Sequence, residues 1–189
     1  MVSVEPAEDA DLVRLSPYTV VLPSKFVGTV DAPEVPYLVE LTLTFDSQRV
    51  VCDQVTCRRR EDGMAVTSEG MTRVRVAELV HLVAGQAVLD VSTFARPGRA
   101  AVEVLQDVDI PPTPHGRSGP DAGHLRALGV IYTVAHACGG SPRRAVMEKL
   151  ALSRTTANRW IRLAREQGYL MVGGTAEGGD DGGEHREAP

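Results

Sequence analysis

The stretch "DIPPTPHGRSGP", from Asp109 to Pro120, constrains the fold of this chain more than any other segment. It holds four prolines and two glycines. Proline fixes its own φ and donates no backbone hydrogen bond, so such a run builds neither a helix interior nor a central strand. It favours an extended, semi-rigid spacer. A chain of 189 residues interrupted there is expected to form two small units joined by a linker over 109–120.

The segment before the linker reads as a small α+β domain over 15–108. In "YLVELTLTF", Tyr37, Val39, Leu41, Leu43 and Phe45 share one face, and Leu38, Glu40, Thr42 and Thr44 the other. That period of two is the signature of a half-buried strand. "DSQ" supplies a turn and "RVVCDQVTC" a second strand, giving an antiparallel hairpin. From Val76, "VAELVHLVAGQAVL" changes period, with Leu79, Leu82, Val83 and Ala87 spaced as on the buried side of a helix. A lone hairpin is marginal, so this helix should pack on it, with "YTVVL" (Tyr18 to Leu22) as a third strand. Residues 1–14, acidic and punctuated by proline, are expected to be flexible.

Beyond the linker, residues 121–172 read as three helices. Leu125, Leu128, Ile131, Tyr132, Val134 and Ala135 form the apolar stripe of the first, and Gly139–Gly140 stop it. Ser141 is placed to cap the second, with Pro142 at its first position, where a missing N–H costs nothing. Ser153 should cap the third, which runs to about Gln167 and is ended by Gly168. Leu150, Leu152, Ala157, Ile161 and Ala164 should face inward, and the single tryptophan, Trp160, should join them. The last residues, "GGTAEGGDDGGEHREAP" over 173–189, hold almost nothing that can bury surface and are expected to be disordered.

The net formal charge of −5 conceals a segregation. Residues 1–114 carry ten basic and seventeen acidic side chains, residues 115–172 nine basic and three acidic, and residues 173–189 one basic and five acidic. A module of local charge +6 therefore lies between two acidic segments, and a polyanion responds to that local field. Four of the module's nine cations fall on "SRTTANRWIRLAREQGYL", the third helix of the second unit.

Two short helices joined by a tight turn, the second polar on its outer side, make a helix-turn-helix arrangement. "AVMEKLALSRTTANRWIRLAREQGYL" resembles the C-terminal module of bacterial and actinophage helix-turn-helix DNA-binding proteins, in which a "LGLSRSTAxRWIxxARxxGxL"-like pattern recurs. The resemblance covers roughly 120–172. It departs at Met147, where the pattern has a small residue, and at Ala151, where it has glycine in the turn. Ala is expected to tolerate that turn. The resemblance implies an α+β chain ending in a three-helix helix-turn-helix domain over 121–172 that places its third helix in the major groove of double-stranded DNA. Carried over by position, Ser153, Arg154, Thr155, Thr156, Asn158 and Arg159 would face DNA, Arg143 and Arg144 would clamp phosphates, and Arg162 would reach backbone. The implied function is sequence-specific DNA binding, in a cytoplasmic transcriptional regulator of actinobacterial or phage type. The first domain is then the expected source of a homo-oligomer. The competing reading is a phage-derived protein-interaction or assembly module whose arginines meet an acidic protein surface.

Other chemistries find little support. Cys52 and Cys57 lie five apart on a strand, which should send them to opposite faces, and no pair of CxxC units exists, so no metal is expected. "CRRRED" over 57–62 is expected to be a solvated charge run. No nucleophile elbow, phosphate loop or HExxH occurs, so neither an enzyme nor a cofactor is expected. No run approaches the roughly 18 apolar residues of a membrane span, and the start lacks the pattern of a secretory signal.

Overall fold

The computed structural model describes residues 1–15, 18, 20–90, 108, 110, 111 and 119–170, with the backbone alone at 89 and 90. The chain is α+β. Six strands come first: β1 (Val2–Pro6), β2 (Leu12–Arg14), β3 (Val20–Pro23), β4 (Lys25–Val30), β5 (Leu38–Asp46) and β6 (Arg49–Arg58). Helices α1 (Ser68–Thr72) and α2 (Val76–Ala87) and the short strand β7 (Leu89–Asp90) follow. Helices α3 (Ala122–Ala137), α4 (Pro142–Lys149) and α5 (Arg154–Glu166) complete the described chain. Most of the 109–120 linker, residues 171 and 172, and the acidic tail over 173–189 lie outside the described residues.

The alternation along β5 does what period-two patterning demands. Tyr37, Val39, Leu41 and Leu43 are fully buried, while Glu40, Thr42 and Thr44 line the opposite, half-exposed face. β5 and β6 form the expected antiparallel hairpin inside a four-stranded sheet of order β1-β4-β5-β6. The third strand beside the hairpin is β4, however, and not "YTVVL". Val20 to Leu22 of that run lie instead in β3, in a separate antiparallel sheet of order β2-β3-β7. β4 is hard to read in sequence because Gly28 interrupts it. That glycine is functional in packing: a Cβ there would overlap the Val83 side chain, so its absence lets α2 lie directly on the sheet.

The start of the chain also differs from the expected flexible segment. Val2–Pro6 pairs antiparallel with β4, Val2 and Val4 pack against the core, and the N-terminal amine donates to the Asp31 carbonyl. Two valines in alternation suffice once β4 offers an edge. In α2, Leu79, Val83, Ala84 and Ala87 are buried, but Leu82 is 42% exposed. At 100° per residue it falls off the face that Leu79 and Val83 define.

Cys52 and Cys57 correct a second expectation. The register of β6 against β5 slips between Thr42 and Leu43, so that Leu43 faces Cys52 while Thr42 faces Gln54, leaving Asp53 as an extra residue. This β-bulge resets the alternation, and both cysteines pack against the same core instead of opposite faces. Among the described residues no group of three potential ligands gathers to hold a metal, and no helix is long and apolar enough to cross a membrane. The three arginines of "CRRRED" are individually engaged, Arg58 near Glu40, Arg59 on the Gly63 carbonyl and Arg60 on Asp31 and the Ala32 carbonyl.

Among the described residues two hydrophobic clusters form, and α3 belongs to both. Its Val134 and Ala137, with the following Cys138, join the sheet and α2. Its Leu125, Leu128, Ile131 and Tyr132 join Val146 and Leu150 of the α4 region and Ala157, Trp160, Ile161 and Ala164 of α5. Polar contacts reinforce the junction: His81 Nδ1 lies 3.0 Å from the Cys138 carbonyl, and the Tyr18 hydroxyl donates to the Tyr169 carbonyl at 2.6 Å. The second contact exists because residue 129 is glycine; any side chain there would overlap the Tyr18 hydroxyl.

Burial pushes the Tyr18 phenol up to about 12 from its ordinary 10.0, against the opposing pull of the Arg126 charge. The folded chain thus holds this proton more tightly than the unfolded chain. The resulting stability is complete below pH 10 and lost as pH rises toward 12. Tyr18→Phe should cost about 1 kcal/mol at neutral pH through the lost hydrogen bond. Denaturant midpoints measured between pH 9 and 12 should converge for the two proteins at the alkaline end; parallel curves would contradict the assignment.

Candidate nucleic-acid interface

The helix α5 is amphipathic at a period of 3.6. Ala157, Trp160, Ile161 and Ala164 are buried, and Arg154, Thr155, Asn158, Arg159, Arg162 and Arg165 are exposed. Trp160 is a core residue, 4% exposed, with its ring edge-on to His124 at 5.5 Å. His124 is itself buried, 2.8 Å from Asp121. Hydrogen bonds from the His124 amide and then from its ring hold that carboxyl below its ordinary range.

Ser153 caps α5 as the sequence requires, its hydroxyl accepting from the Thr156 amide at 3.3 Å. The Thr156 hydroxyl lies 2.9 Å from the same oxygen, and the residue is half-buried. Thr156 is therefore committed to the cap rather than presented outward. Thr155, one step round the helix, remains exposed. Ser141 differs from expectation: it precedes α4 with Pro142 at the first turn, but its side chain makes no cap hydrogen bond.

Three helix ends share one geometry. Gly140 N–H donates to the Ala135 carbonyl, Leu152 N–H to Met147 and Tyr169 N–H to Ala164, each closing the last turn around a residue of positive φ. Those residues are Gly139 (φ 71°), Ala151 (φ 50°) and Gly168 (φ 76°). The turn between α4 and α5 is thus the one that pays a side-chain penalty for the left-handed conformation. Alanine is accommodated there, but at the cost of a left-handed φ.

Charge pairing sorts the arginines. Arg144 Nε lies 2.7 Å from Glu148 Oε1, and that hydrogen bond followed by the carboxylate charge raises the guanidinium above its ordinary range. Arg162 lies 3.6 Å from Glu166. Arg165 donates to the Tyr132 hydroxyl at 2.9 Å with its guanidinium 5.7 Å from the ring centre. Among the described residues no carboxylate lies within ion-pairing reach of Arg143, Arg154 or Arg159. The spacing of Glu148 and Glu166, four residues after Arg144 and Arg162, made those two pairs readable. Nothing in the sequence pointed to the Tyr132–Arg165 contact across 33 residues.

The sequence-predicted residues accordingly divide. Arg154, Thr155, Asn158 and Arg159 share the open face of α5, and Arg143 stands exposed at the start of α4. Arg144 and Arg162 are exposed but paired, at solvent-screened sites where such pairs are weak and exchange readily for another anion. Ser153 and Thr156 form the cap. Compared with known proteins, the chain matches no protein family, no curated protein and no solved structure.

Ala151→Gly should relieve the strained turn and stabilise the chain by about 1 kcal/mol, net of glycine's greater freedom when unfolded. Urea denaturation of the two proteins measures it. An unchanged or lowered midpoint would show that the turn carries no strain.

Proposed function

We propose that this chain is a sequence-specific DNA-binding protein that acts as a transcriptional regulator, with α4, the turn at Ala151 and α5 serving as its helix-turn-helix. The observation that carries this reading is the open face of α5: Arg154, Asn158 and Arg159 project together, and the two arginines have no carboxylate partner among the described residues. An unpaired guanidinium can bond a guanine edge through two parallel hydrogen bonds, and an asparagine amide can do the same to adenine. Thr155 adds a methyl group and a hydroxyl suited to a thymine methyl or a phosphate. Arg143 is the first candidate for a backbone contact, with Arg144 and Arg162 joining by exchanging Glu148 and Glu166 for phosphate. The local charge of +6 over 115–172 supplies the sequence-independent attraction.

A single three-helix module makes few base contacts, so useful specificity calls for two half-sites. We assign the pairing of two copies to the unit formed by the two sheets.

Selection from random duplexes followed by fluorescence titration tests the reading. Affinity should fall steeply with added salt. Arg154→Ala and Asn158→Ala should each cost about 1–3 kcal/mol on the selected sequence and relax its choice of base at one position. Arg143→Ala should weaken all duplexes alike and lower the salt slope by about 1. Titrations that stay flat at low ionic strength would overturn the proposal in favour of an acidic protein surface as the partner of α5.

A further inference from the structure

A cleft of about 490 Å³ opens where the first turn of α4 meets the second half of α5 and the end of α3. Arg143, Arg162 and Arg165 line it together with Tyr132, Ser141 and Asn158, and no carboxylate is among its lining residues. Three guanidinium groups that converge on one hollow repel one another, and an anion between them removes that repulsion. A neutral or cationic ligand gains nothing from this arrangement.

Two features make the cleft more than a patch of like charge. Arg165 is held in place, because the Tyr132 hydroxyl accepts its hydrogen bond and the tyrosine ring lies under the guanidinium. Tyr132 is itself 6% exposed, so the support is anchored in the core. A guanidinium ordered before the ligand arrives loses little further freedom on binding it. The second feature is the start of α4. Its Arg143 and Arg144 amides have no acceptor within the helix, and Ser141 leaves them without a side-chain cap. Amides at such an end favour an oxyanion, and of these two residues Arg143 lines the hollow. Glu166, 3.6 Å from Arg162, is the nearest competitor for these cations.

We propose that this cleft binds a phosphate group, held by the forks of Arg143 and Arg165, by Arg162 and by the amide end of α4. The group is either a phosphodiester of a nucleic-acid backbone or a free phosphomonoester. In its phosphodiester form the site rests on the proposed function, to which it adds Arg165 and Tyr132; in its phosphomonoester form it stands without that reading.

The test uses the full chain and two probes at constant ionic strength, inorganic phosphate and a short mixed-sequence duplex, followed by calorimetry. Arg143→Gln, at an exposed position without an ion pair, should weaken binding of the active probe by about tenfold, the loss expected for a charged hydrogen bond. Arg165→Lys keeps the charge but loses the fork, and should weaken it similarly. Tyr132→Phe keeps the ring but removes the hydroxyl that aims Arg165, and should do so several-fold. Saturable phosphate binding that these variants weaken identifies a phosphomonoester site, even where the duplex fails to bind and the DNA reading falls. Duplex binding weakened in the same way, without uptake of phosphate alone, identifies the backbone as the source. Should Arg165→Lys not fold, Arg143→Gln decides. Wild-type affinity of Arg143→Gln for both probes, or no saturable binding of either by the native chain, overturns the proposal.

Discussion

The burial of α3 on opposite sides is the constraint on which the rest of the molecule depends. Leu125, Leu128 and Ile131 are each at most 1% exposed within one cluster, and Val134, Ala137 and Cys138 are at most 2% exposed within the other. Full burial of a leucine or isoleucine side chain is worth roughly 1.5–3 kcal/mol. The helix therefore cannot leave either cluster without losing several such contributions. Its small residues matter as much as its large ones: Ala127, Gly129 and Ala135 are also buried, so neighbouring chains approach the backbone closely. A helix that is apolar nearly all round is an interior helix. Here the interior is the junction of the sheet unit with the helices that carry the basic face.

That junction gives α5 a defined orientation. The helix packs on α3 through Ala157, Ile161 and Ala164, and the Tyr18 hydroxyl ties down the Tyr169 carbonyl just past its end. The exposed arginines thus project from a frame that reaches back through α3 to the four-stranded sheet. A cation on a loose arm would lose freedom on meeting any ligand, and this frame has already removed part of that cost.

How far the sequence discloses this arrangement depends on whether a rule of periodicity applies unbroken. β5 and α5 obey their periods of 2 and 3.6 along their whole lengths, so their inward and outward faces, and with them the candidate face at Arg154, Asn158 and Arg159, were legible. β4 was not, because Gly28 supplies no side chain to the pattern and its role appears only when Val83 is brought against it. The faces of Cys52 and Cys57 were misread because one extra residue at Asp53 resets the alternation, and a bulge leaves no mark in residue type. The cost at Ala151 was hidden for a related reason: alanine is compatible with most turns, and only the φ of this turn shows that it is a left-handed one. The Tyr132–Arg165 contact depends on how α3 and α5 cross, which no local pattern encodes.

The acidity of the remainder acquires a physical sense from the same frame. Residues 1–90 carry six more acidic than basic groups, and α3 joins that unit closely to residues 119–170, which carry five more basic than acidic groups. Two opposed charges on one body make a strong dipole, which turns the molecule in the field of a polyanion before contact. On the DNA-binding proposal the sheet unit is repelled by the phosphates that attract α5, so wrong orientations are disfavoured just before contact rather than after it. That effect acts over about a Debye length, about 8 Å at physiological salt, and so over the last approach alone. It also requires the two units to hold their relation to each other. A flexible tether would let the acidic unit swing aside, whereas a helix buried in both cores holds the two units in one relation.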